Sequence, residues 1–126
     1  MKILEDRLYS KDHEWVLVSG STARVGVTDY AQDALGDVVF VQLPNVGKIF
    51  SAGAACCEVE STKSVSDIYV PIDGSISLTN AKLLQAPGLV NSDPYGEGWI
   101  FELSLATSVS TKSLIDANQY RQLIEG

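Results

Sequence analysis

Turn-forming residues cut this 126-residue sequence into short extended runs, and that division limits the available folds more than any single motif does. Glu14 to Val18 and Thr22 to Val27 alternate apolar and polar residues around Ser19, Gly20 and Ser21, the composition of a hairpin connection. Asp37 to Leu43 is rich in Val and Phe, and Pro44, Asn45, Val46 and Gly47 form a turn that reverses the chain into Lys48 to Phe50. Ala54 to Glu60 and Val65 to Val70 read as another strand pair, with Lys63 at the tip of the Ser61–Ser64 connection. Pro71, Asp73 and Gly74 end it, Ser75 to Leu78 begins a further strand, and Gly98 to Leu105 is the last. Helices are expected only at the periphery. Thr28 caps a short one carrying Tyr30, Ala31, Ala34 and Leu35 and stopped by Gly36; a second spans Asn80 to Gln85, closed by Pro87 and Gly88. Asn91 to Glu97 reads as a loop. Leu114, Ala117, Tyr120 and Ile124 mark one face of a C-terminal helix over about 113–124. Strands this short bury their apolar sides only when two curved sheets face each other, so a mostly β, single-domain fold over 1–126 is expected.

Charge and composition then remove whole classes of function. Nine Lys plus Arg stand against sixteen Asp plus Glu, a formal charge of −7, and no basic run offsets it, so no nucleic-acid partner is expected. The longest apolar stretch free of charge, around Ile49 to Cys57, is far shorter than the roughly 20 residues of a membrane span, so no membrane partner is expected either. Glu5, Asp6 and Asp12 spoil a transit-peptide pattern, which points to a cytoplasmic chain or to a processed form in the mitochondrial matrix. Cys56 and Cys57 are adjacent, too close for an ordinary disulfide, and read as small buried residues. One His and two neighbouring Cys do not build a metal site, and neither a GxSxG elbow nor a phosphate-binding glycine loop occurs, so no metal and no catalytic residue is assigned. The acidic balance has two readings, a solubility device or a steering field toward basic partners.

The informative segment is EVESTKSVSDIYVPIDG, Glu58 to Gly74. A lone lysine, Lys63, stands there among Glu58, Glu60 and Asp67, flanked by the small residues Ser61, Thr62 and Ser64. By composition alone it is a solvated turn lysine. An ordinary lysine is protonated at neutral pH, so acylating it requires an outside enzyme that removes the proton and presents an activated acyl group.

This segment resembles the lipoyl-lysine hairpin of the glycine cleavage system H protein family, with Glu60, Ser61, Lys63, Ser66, Asp67, Pro71 and Gly74 at matching positions. The likeness runs through the chain in order. His13, Glu14 and Trp15 resemble the family's HEW segment; Gly26, Thr28, Ala31, Leu35, Gly36 and Asp37 form the next block. Val39 to Leu43 with Pro44 resembles its VFVxLP stretch, and Leu89, Val90, Asn91, Pro94, Tyr95, Gly96, Gly98 and Trp99 its late loop. Where many relatives place Val and Ala beside the lysine, this chain has Thr62 and Ser64. Related biotin carriers set their lysine between two methionines, and here Met1 is the only one.

The resemblance implies a barrel-sandwich hybrid of the lipoyl- and biotinyl-carrier type, with lipoate joined as an amide to Lys63. It implies a carrier, not an enzyme: an arm serving glycine decarboxylase (P protein), the tetrahydrofolate-dependent aminomethyltransferase (T protein) and dihydrolipoamide dehydrogenase (L protein), installed by a lipoate ligase or octanoyltransferase. The alternative is an H-like protein that only relays lipoyl groups to other proteins. By the same likeness Glu60, Ser61, Asp67 and Gly74 are hairpin-recognition residues. Because the loaded arm ends in a cation, Glu14 and Asp67 are candidates to hold it. His13 and Trp15 read as packing or orienting residues, and Tyr95 and Trp99 as packing residues.

Overall fold

A computed structural model describes residues 1–106 and 110–126. In chain order the elements are β1 (Leu8–Tyr9), β2 (Glu14–Ser19), β3 (Thr22–Val27), α1 (Asp29–Leu35), β4 (Val38–Gln42), β5 (Ile49–Phe50), β6 (Ala55–Ser61), β7 (Val65–Tyr69), β8 (Gly74–Thr79), α2 (Lys82–Gln85), α3 (Leu89–Ser92), β9 (Phe101–Ser104) and α4 (Ala117–Glu125). The strands form two antiparallel sheets, one ordered β1-β2-β3-β9-β8-β5 and the other β4-β6-β7. This is the expected mostly β sandwich with peripheral helices; the described strands stay in two sheets and do not close into one barrel.

Alternation along the strands puts the core between the sheets. Val16, Val25, Phe101, Leu103 and Ile76 from the larger sheet meet Val41, Val59 and Ile68 from the smaller. Each such side chain contributes roughly 1.5–3 kcal/mol of burial. Arg24, pointing the other way on β3, forms a 2.7 Å ion pair with Glu102 on β9. A second cluster, Tyr9, Trp15, Ala117 and Tyr120, lies under α4. Trp15 packs flat over Gly26, its register partner on β3; a Cβ there would stand 2.6 Å from the indole nitrogen. Glycine leaves the room the ring needs.

Three local expectations change. The turn at Pro44–Gly47 does not make a hairpin: β4 pairs with β6, while β5 crosses to the other sheet and pairs with β8. Crossing there lets one segment bridge the two layers. Leu89–Ser92 is a helical turn, α3, that extends into the start of the expected Asn91–Glu97 loop, because Pro87 and Gly88 begin it with carbonyls that accept from Val90 and Asn91. The C-terminal helix begins at Ala117, not near 113. Ile115 is held extended by a bridge to Tyr9, and Asp116 then caps α4 with Gln119 returning the bond. The two-residue β1 also carries no alternation that a sequence could reveal.

Candidate functional site

The β6–β7 hairpin raises Lys63 on a turn that is fixed from within. The Ser61 hydroxyl oxygen accepts from the amides of Lys63 (3.1 Å) and Ser64 (3.2 Å), and the Ser61 amide donates to the Ser64 carbonyl at 2.9 Å. The turn backbone is thus held while the Lys63 side chain remains exposed, with no ion pair to its ammonium among the described residues. Glu58, Glu60 and Asp67 flank the hairpin rather than bind the lysine. Glu58 and Asp67 face each other across the strands, and Glu60 faces Val65.

A second segment supports the turn. The Thr62 amide donates to the Asp37 carbonyl at 3.0 Å, just beyond the C-terminus of α1. Gly36 ends that helix with φ 79°, in the left-handed region, and the Lys63 stem passes so close that a Cβ on Gly36 would lie 3.1 Å from Lys63 Cε. Asn91 fixes this support from α3. Its Oδ1 accepts from the Val38 amide at 2.8 Å, and its Nδ2 donates to the Gly36 carbonyl at 2.9 Å and to Gln32 Oε1 at 3.1 Å. The sequence offers no local signal for that role, since Asn91 acts on residues far away in the chain.

Beside the turn lies a groove of about 260 Å³ between α1 and β7. Tyr30, Ala31, Ala34, Leu35 and Ile68 give it an apolar wall; Asp12, His13, Ser64, Ser66 and Asp67 supply polar groups. α1 carries an apolar stripe, and no residue of it is fully buried. Its apolar side therefore faces the groove and stays partly open, and a stripe on a two-turn helix does not by itself tell core from cleft.

The arm-holding candidates have different surroundings. Asp67 is exposed and lines the groove. Glu14 is 2% exposed and does not line it: Oε1 shares a 2.6 Å hydrogen bond with the Ser10 hydroxyl, and Oε2 accepts from the Tyr69 amide at 3.3 Å. Burial pushes its carboxyl up to about 8 against those two hydrogen bonds, with Asp12 adding to the rise, so Glu14 carries a proton at neutral pH. The Glu14 side chain turns inward between Ser10 and β7 and does not stand at the groove as an arm-holding carboxylate would. Gly74 is not at the turn. It opens β8 in the other sheet, where a Cβ would come within 2.8 Å of the Ser104 carbonyl.

His13 closes one end of the groove. Its φ of 69° turns the ring onto Tyr30, with centroids 4.7 Å apart, and its Nδ1 meets the Tyr120 hydroxyl at 2.8 Å. Burial lowers its pKa, against the smaller opposing pull of the Asp12 carboxylate. The Tyr120 hydroxyl also meets Thr28 Oγ1, the cap of α1, at 2.7 Å, so the C-terminal helix braces the groove wall. Trp15 is fully buried and donates to the Pro94 carbonyl at 2.9 Å. Asp12 and Tyr30, missed as site residues, could have been found only by knowing that α1 and the segment before β2 border the same groove.

The groove sets an apolar wall against the Asp12 and Asp67 carboxylates and lies beside an exposed amine on a rigid turn. Such a site can seat a flexible acyl chain attached to the lysine and receive a cation at the chain's end; it offers no group poised to make or break bonds. In comparison with known proteins, residues 7–126 match the family described as Glycine cleavage H-protein. The glycine cleavage system H protein of Beutenbergia cavernae is 52% identical over 126 residues, covering 100% of this chain and 99% of that one. That of Thermus thermophilus is 52% identical over 125 residues, covering 99% and 98%. The crystal structure of a glycine cleavage system H protein from Mycobacterium marinum matches with a TM-score of 0.89 at 42% identity, over 98% of this chain and 100% of that chain.

Proposed function

The chain belongs to the glycine cleavage H-protein family, a carrier component and not a catalyst, and from that premise we propose that Lys63 is its lipoyl attachment point. The observation that carries this reading is the exposed Lys63 amine on a turn stapled by Ser61, beside a groove shaped for an acyl chain. When bound, a lipoyl arm supplies reversible disulfide chemistry and a sulfur able to hold a one-carbon amine.

The residues of this chain do the rest by position. Ser61, Asp37 and Asn91 hold the turn so that an attaching enzyme meets the lysine in one geometry, with Glu60 and Asp67 available as recognition points on the hairpin. The α1 and β7 walls would cover one side of the arm. Asp67 and Asp12 at the groove would meet a cationic end group directly, while Glu14, buried away from the groove lining and protonated, would not. Tethering replaces diffusion of a labile adduct with local delivery at roughly millimolar effective concentration. The partners in this reading are the decarboxylase, the aminomethyltransferase, dihydrolipoamide dehydrogenase and a ligase or octanoyltransferase. The bacterial relatives favour the cytoplasmic reading over the matrix.

Intact-mass measurement tests the attachment. Protein made in cells competent for lipoylation is expected to carry one lipoyl increment that disappears in Lys63→Ala; an increment that survives the substitution refutes the assignment. Glycine–bicarbonate exchange with the decarboxylase then separates carrier from relay, since a pure relay gives none.

A further inference from the structure

The arm groove makes no use of the two cysteines, and the fold arranges them unusually. In a regular strand neighbouring side chains point to opposite faces, so the sheet should hold Cys56 and Cys57 apart. β6 breaks that rule at this point. Its register against β7 slips between Ala55, opposite Tyr69, and Cys57, opposite Ile68, leaving Cys56 as the extra residue of a bulge. The two sulfurs consequently stand 3.6 Å apart. Both are free thiols; Cys57 is 6% exposed in the edge of the core, and Cys56 is half-buried. Together they border a surface groove of about 310 Å³ that Leu43, Lys48, Phe50, Glu58 and Asp67 also line.

We propose that Cys56 and Cys57 form a vicinal dithiol site for trivalent arsenic of the arsenoxide class. Condensation balances without a redox partner: two S–H bonds and the As=O bond break, two As–S bonds form, and both protons leave on the oxygen as water. Cys56, the more open thiol, bonds first. The Cys57 sulfur already lies beside it, so the second bond closes intramolecularly and the chelate outlasts any single-thiol adduct.

Other chemistries fit this pair less well. Its hydrogen bond to Cys56 and its burial hold the Cys57 thiol far above the usual range, so it is not a free-standing nucleophile. A disulfide between adjacent residues is disfavoured because their Cα atoms, about 3.8 Å apart, lie below the usual span of a bridge. Zinc needs four ligands, and no group of three or more metal-binding side chains occurs among the described residues. An arsenoxide brings its own organic substituent and asks the protein for two soft sulfurs only.

The site does not depend on the lipoyl reading, and the test excludes the arm, which is itself a dithiol when reduced. The full chain carrying Lys63→Ala is treated with phenylarsine oxide, then challenged with excess monothiol or with a small dithiol, and followed by intact mass. One phenylarsenic adduct per chain is expected, with both thiols consumed, resisting the monothiol and released by the dithiol. Adding Cys56→Ser, or separately the smaller change Cys57→Ala, should shorten the adduct's lifetime in monothiol by at least tenfold. Absence of an adduct on the folded chain, or equal lifetimes in the single-thiol variants, overturns the proposal.

Discussion

Replacing Glu14 by Gln should stabilise this protein at neutral pH and leave it unchanged in acid. The buried carboxyl has an ordinary value of 4.5 and is pushed to about 8 in the fold, so between those values the folded chain holds a proton that the unfolded chain has released. Stability of the parent must therefore fall as pH rises from about 4.5 to 8, and level off above. At 1.36 kcal/mol per pH unit the loss is under about 1 kcal/mol at pH 5, roughly 3 kcal/mol at pH 7 and roughly 5 kcal/mol above pH 8. Glutamine mimics the protonated acid, since its carbonyl can accept from the Tyr69 amide while its NH2 donates to Ser10 Oγ, yet it has no proton to lose. Urea melts of both proteins at pH 5, 6, 7 and 8 give the difference directly. It should grow from near zero to roughly 3 kcal/mol at pH 7, a gain in Tm on the order of 10 °C. A Glu14→Gln protein no more stable than its parent at pH 7, with parallel pH profiles, would refute the assignment of a buried, protonated Glu14.

Two further substitutions probe the scaffold under the lysine. Asn91→Ala removes the acceptor of the Val38 amide and the donors to Gly36 and Gln32, and should cost about 1–3 kcal/mol. Hydrogen exchange at the Thr62 amide should speed up several-fold and enzymatic lipoylation of Lys63 should slow, while unchanged exchange at Thr62 would show that Asn91 does not support the turn. Gly26→Ala forces a Cβ against the Trp15 ring, which is already tied to the Pro94 carbonyl, and should cost about 2–4 kcal/mol. Thermal melting followed by Trp fluorescence should show Tm falling by roughly 5–15 °C; a shift within about 2 °C would mean the ring moves freely.

What the sequence alone determined is the local part. Alternation set the β2–β3 hairpin, Thr28 and Gly36 bounded α1, and the small polar run at Ser61–Ser64 put Lys63 on a turn, each through contacts within a few residues. The matched blocks, read in order, pointed to the family as well. The tertiary structure decided which sheet each strand joins, sending β5 away from β4. It turned Glu14 inward, opened the apolar side of α1 onto a groove, and brought two neighbouring sulfurs together at a bulge. Asn91 reaches Val38 from 53 positions along the chain, and the Tyr120 hydroxyl reaches Thr28 from 92. No local pattern encodes such pairings, because burial, hydrogen-bond partners and proton affinity are properties of what the folded chain places around a residue, and its sequence neighbours supply only part of that surrounding.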